Sequence, residues 1–134
     1  MTEPTRYIRK AISEALTTPN FKVYEQNPPG SAVTPYGIIT VSVQQRPVKG
    51  IKIYTASIDI DIYHEFREYG GRKTIDELCD NIIELMVPND ALYISISGFE
   101  HSGCRLLSTT ERTDKDNSVT SYIKTLRFQS IVNE

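Results

Sequence analysis

The sequence predicts an α+β fold: an antiparallel or mixed β-sheet with two helices packed on one face. Three observations carry that prediction. Two segments place apolar residues three and four apart, the spacing of a helix face. Several others alternate apolar and polar residues, the mark of strands with one dry and one wet side. Most strands follow one another through short turns rich in Gly, Pro, Asn or Asp, which favours antiparallel neighbours over crossovers. The 134 residues suffice for one core, so residues 1–134 are read as a single domain.

The first helix is carried by Ile8, Ala11, Ile12, Ala15 and Leu16, with Thr2 as its expected cap and Glu3 and Pro4 in its first turn. Pro19 ends it, and Phe21 to Glu25 reads as a short strand. Gln26 to Pro35, rich in Pro, Gly, Asn and Ser, is a loop. Tyr36 to Gln44 alternates cleanly as a strand, and Gln45 to Gly50 turns the chain.

The next run, Ile51 to Phe66, puts Tyr54, Ala56, Ile58, Ile60, Ile62 and Phe66 on one face and Thr55, Ser57, Asp59 and Asp61 on the other. It is longer than most strands. The expectation is therefore either a bulge or a hairpin arm in which its first half projects with the preceding strand. Gly70 and Gly71 break the chain, and Thr74 to Glu77 has the form of a capping box. The second helix then follows with the stripe Ile75, Leu78, Cys79, Ile82, Leu85 and Met86. Beyond Pro88 and Asn89, strands are expected at Leu92 to Ser97, near Arg105 to Thr113, and from Val119 to Val132. The order is α-β-β-β-α-β-β-β, with extended β-hairpin arms.

Bulk properties narrow the function classes. A net charge of −2 gives no strong field and argues against a dedicated nucleic-acid binder. Cys79 and Cys104 are expected to be reduced thiols. The first ten residues lack the apolar stretch of a signal peptide, and no apolar run approaches the ~20 residues that span a bilayer. A soluble protein made in the cytoplasm, without membrane contact, is expected.

Three constellations are weighed for chemistry. Asp59 and Asp61, with Glu65 beyond them, share a strand face, and such a pair can hold Mg²⁺ for phosphodiester cleavage. The simpler reading is a solvated strand face. His64, His101, Cys79 and Cys104 are scattered, whereas structural zinc uses paired clusters. Gly70-Gly71-Arg72-Lys73 precedes a helix and can attract an anion, but it lacks the longer glycine loop of a nucleotide site. No catalytic residue, cofactor or metal is assigned.

The order of the pieces is more telling. Val23-Tyr24 leads to the loop Asn27-Pro28-Pro29, and Pro35-Tyr36-Gly37-Ile38-Ile39 opens a strand. The alternating Ile58 to Tyr63 follows, then the Gly-rich break, the helix Thr74 to Met86, and a closing hairpin through Thr113-Asp114-Lys115-Asp116-Asn117. This set, over nearly the whole chain, resembles the tail-terminator or tail-completion proteins of long-tailed bacteriophages. The stretch Ser108 to Thr113 departs from that pattern.

The resemblance implies a structural virion protein that is not an enzyme. Its copies would form a hexameric ring on the head-proximal end of the tail tube, stop tube growth and join the tail to the head connector. Its partners would be itself, the tail tube protein and the connector or neck proteins, with genomic DNA passing through the lumen. Another neck component, a head-completion protein or connector adaptor, stands as an alternative, and a Mg²⁺-dependent nuclease using Asp59 and Asp61 stands as the enzymatic one. Within a ring, the turn Arg46, Pro47, Val48, Lys49 and Gly50 is the expected inter-subunit arm, because strand edges pair readily. Asp59 and Asp61 are expected to face the DNA channel, where carboxylates repel phosphate.

Overall fold

The computed structural model describes residues 4–30, 32–46, 50, 52–66, 72–88, 93–116 and 119–133. The elements in chain order are α1 (Thr5–Leu16), β1 (Lys22–Tyr24), β2 (Tyr36–Gln45), β3 (Ile53–Phe66), α2 (Arg72–Met86), β4 (Glu100–Asp116) and β5 (Val119–Asn133). The class is α+β, as expected. The strand expected at Leu92 to Ser97 is present as an isolated bridge between Ile96 and Phe99, closed by the Phe99 amide donating to the Ile96 carbonyl at 3.1 Å.

Among the described residues five strands form one mixed sheet in the order β1-β2-β3-β5-β4. Only β1 and β2 run parallel; the other neighbours are antiparallel. The chain leaves β3, passes through α2 to the far edge as β4, and returns as β5 into the gap between β3 and β4. That insertion pairs β3 with β5 along its whole length and leaves its other side to β2 from Tyr54 to Tyr63.

Alternation in β3 follows directly. Ala56, Ile58, Ile60 and Ile62 have no exposed surface, and Tyr54 is buried with them. They face Leu126, Phe128 and Val132 of β5 and Ile39 and Val41 of β2 within one core. The expected bulge is absent: pairing with β2 runs unbroken from Tyr36 opposite Tyr63 to Gln45 opposite Tyr54. The half of β3 beside the turn is held in the sheet by both neighbours, since Ile53 to Ala56 also pair with Ser130 to Asn133.

Both helices lie on the even-residue side of β3, α1 over β1 and β2 and α2 against β5 and β4. α1 buries Ile8, Ile12, Ser13 and Leu16, whereas Ala15, expected on that face, is exposed. Ser13 is tolerated because its hydroxyl donates to the Lys10 carbonyl at 3.0 Å. Pro4 is the cap residue rather than a first-turn residue, and its carbonyl accepts from the Ile8 amide at 2.9 Å. Thr2 and Glu3 lie outside the described residues.

α2 buries Ile75, Cys79, Ile82 and Met86. Leu78 is half-buried, and Leu85, expected in the stripe, is 47% exposed. A narrower stripe suffices because α2 touches the sheet near its β4 edge, where less surface is available to cover it. Its helix already runs from Arg72, so Thr74 sits inside the first turn and is not the cap. Each fully buried Ile, Leu or Phe contributes ~1.5 to 3 kcal/mol relative to exposure.

Candidate functional site

The odd residues of β3 and β5 and the even residues of β2 make up the sheet face that carries no helix. Strand pairing sets Asp59 between Thr40 and Arg127, and Asp61 between Ile38 and Thr125. Asp59 accepts from Arg127 through both oxygens, at 3.0 Å from Nε and 3.4 Å from the terminal nitrogen. That contact raises the Arg127 pKa, with the hydrogen bond as the main cause. Asp61 accepts from the Thr125 hydroxyl at 2.6 Å. The two carboxylates do share one open face, as their spacing requires. They are also engaged within it, so a divalent cation at Asp59 would have to displace a guanidinium.

The spacing of two acids gave no hint of Arg127 or Thr125, which lie more than sixty residues downstream. Their arrival depends on β5 inserting beside β3. The same face holds a second feature absent from the sequence reading. Tyr36 stacks on Tyr63 with ring centres 5.3 Å apart, and Tyr24 meets Tyr36 edge-on at 5.8 Å. Burial raises the hydroxyl pKa of both Tyr36 and Tyr63. The face is thus aromatic at one end and Thr-, Ser- and Arg-rich toward the other, where Arg105 donates to Gln129 at 2.8 Å.

The remaining candidates separate. His101 meets the Ser130 hydroxyl at 2.8 Å and stacks on Tyr93. Burial lowers the pKa of both His64 and His101, the nearby Ile94 carbonyl partly opposing it at His101. Burial pushes the Cys79 thiol up to about 12 and Cys104 to about 11, the reverse of an activated nucleophile. Both thiols are unbridged. Among the described residues no three His, Cys, Asp or Glu side chains gather to hold a metal ion, and no helix is long and apolar enough to cross a membrane. Gly70 and Gly71 lie outside the described residues; Lys73 is exposed beside Glu77 at 4.0 Å.

Of the turn between β2 and β3, Pro47, Val48 and Lys49 lie outside the described residues. Its base is closed by the Arg46 amide donating to the Ile53 carbonyl at 2.9 Å, and Arg46 Nε donates to the Thr55 hydroxyl. Gly50 has φ of 79°, which glycine adopts without strain.

No protein-family model and no curated protein matches the chain. Among solved structures, a chain from the virion of a native gene transfer agent particle superposes with a TM-score of 0.64 at 18% identity. The match covers 96% of this chain and 90% of that one. At that identity the likeness is one of fold.

Proposed function

We propose that this chain is a structural virion protein of a phage-like particle, and within it the subunit of the ring that closes the head-proximal end of the tail. Such a ring stops growth of the tail tube and joins the tail to the head connector. The observation that carries the reading is the fold likeness to a virion chain over 96% of this sequence. The order of motifs noted in the sequence supports the finer assignment. The partners are then further copies of the chain, the tail tube protein and the connector proteins, with DNA passing through the lumen.

In that ring, Arg46 to Gly50 is proposed as the reach from one copy to the next, a head-to-tail contact that closes by rotation. The helix-free face with Asp59 and Asp61 is proposed to line the channel. Arg127 offsets one of the two carboxylates, so the wall is weakly charged rather than strongly acidic. A near-neutral wall neither holds the duplex through counterion release nor traps it.

The test is the mass of the purified protein by light scattering, alone and with isolated tail tubes, followed by electron microscopy. Rings seated on tube ends support the proposal. Rings that bind connectors and ignore tubes would move the chain to a head-completion role, and protein that binds neither would refute both. Deleting Arg46 to Gly50 should leave the circular dichroism unchanged and abolish rings. Asp59→Lys with Asp61→Lys should leave assembly intact but slow DNA ejection in a salt-sensitive manner; ejection at the wild-type rate would remove the channel role.

A further inference from the structure

The two edges of the sheet are unlike. At one end β1 is three residues long, and its Val23 amide is already taken by the Thr17 hydroxyl at 3.2 Å. At the other end β4 is 17 residues long and pairs only with β5 among the described residues. From Arg105 to Lys115 every residue of β4 is exposed. A long open edge is a template for another strand, and its charge order states which strand fits.

Glu111-Arg112-Thr113-Asp114-Lys115 carries the signs minus, plus, neutral, minus, plus. Read in reverse, every sign is opposite. In a two-fold antiparallel pairing, residues on the same side of the pleat stand opposite each other, so the axis falls on a residue. With the axis at Thr113, Arg112 of each copy faces Asp114 of the other, Glu111 faces Lys115, and threonine meets threonine. Moving the axis by one residue in either direction sets Arg112 or Asp114 against its own copy. Opposite charges directly across a ladder stabilise it and like charges destabilise it.

The hairpin geometry suits this pairing. Arg112 and Asp114 stand beside Ile123 and Ser121 on the helix-free face, whereas Glu111 and Thr113 stand beside Lys124 and Tyr122 on the other. Glu111 is steadied at 3.5 Å from Lys124 of its own chain. Charge matching therefore occurs on both faces at once.

We propose that two copies of this chain associate through the β4 edge, antiparallel and centred on Thr113, joining their sheets into one. The contact is two-fold, so it closes on itself and consumes both long edges rather than propagating into a fibre. It does not rest on the virion reading, and it concerns the free protein, before any tail or connector is met.

The test is sedimentation of the full chain without tails, across a concentration series and at low and high salt. The wild type should dimerise and weaken as salt rises. Arg112→Asp sets two carboxylates against each other, and Asp114→Arg sets two guanidinium groups together. Each alone should raise the dissociation constant at least about tenfold, since each replaces an attraction by a repulsion twice per dimer. Mixing the two variants should restore association as a heterodimer, and the double exchange in one chain should restore the homodimer. Both positions are exposed, and circular dichroism checks that the fold is kept. A monomeric wild type, or an oligomer indifferent to either single exchange, would overturn the proposal. Failure here leaves the tail-tube experiment unaffected, because that one reads rings formed on tails.

Discussion

The two hairpins of the sheet, β2–β3 and β4–β5, use strands of similar length to different ends. β3 pairs on both sides without a break, and its even residues are sealed under both helices. β4 pairs on one side, shifts register between His101 and Gly103 and again between Leu106 and Ser108, and is exposed throughout its outer half. Leu106 and Leu107, beside the second shift, remain 36% and 44% exposed. The difference teaches that place in the strand order, more than composition, decides what a strand can bury. A strand with two neighbours and a helix above it has a dry side; one at the rim has only its backbone to contribute.

The sharpest break of this comparison is Ile60→Ala against Thr110→Ala. Ile60 is fully enclosed, so its truncation should cost ~2 to 5 kcal/mol once the cavity is included. Denaturant titration reads the difference directly, and a loss below ~1 kcal/mol would show that the β3 core repacks freely.

Next comes the link between the regions. Lys124 of β5 sits 2.9 Å from Asp76 of α2 and 3.5 Å from Glu111 of β4, tying helix to edge strand. Lys124→Met keeps the stem and removes the charge, with an expected cost of about 1 kcal/mol. Burial works against the charged form of Lys124, but the hydrogen bond to Asp76, helped by the neighbouring Cys79, the Asp76 charge and then Glu111, overcomes it and leaves the pKa raised. A raised pKa contributes stability fully present below ~10.4, lost as pH climbs through the folded value. Tyr36 and Tyr63, also raised, destabilise in the same alkaline range, so the readout is the difference between variant and wild type. That difference should shrink above pH ~10.4.

A smaller effect is expected in acid. His101 and His64 have lowered pKa values, chiefly from burial. Their contribution is complete above ~6.5 and declines as pH falls toward the folded values, because the unfolded chain takes up protons first. His101→Gln should flatten part of that acid slope in thermal melts and leave the His64 part; an unchanged slope would show that His101 takes up protons as readily in the fold as in the unfolded chain. Smallest of all, Thr110→Ala on the exposed edge should move stability by no more than ~0.5 kcal/mol. A larger loss would mean that β4 is covered in solution, which would itself favour association through that edge.

Much of the candidate face was legible in advance. The alternation Asp59-Ile60-Asp61 states that both acids share a side, and the open face of β3 carries them. Their partners were not legible, because Arg127 and Thr125 meet them through pairing between strands that share no local pattern. The tyrosine cluster was hidden for the same reason: Tyr24, Tyr36 and Tyr63 come from three strands, one of them parallel to its neighbour.

By itself the sequence determined two helices, the buried side of β3, and the breaks between them. Those are local properties, written in three-to-four and two-residue periods that any observer can count. Only the tertiary structure decided that β5 inserts between β3 and β4, that β1 joins in parallel, and that Thr74 falls inside a helix rather than at its cap. It also decided that β4 extends to 17 residues with so little apolar alternation of its own. A short hairpin closes at small entropic cost, and each further pair adds backbone hydrogen bonds along a β5 already anchored in the core. Strand length at the rim is therefore inherited from the neighbour, whereas strand burial at the centre is encoded in the strand itself.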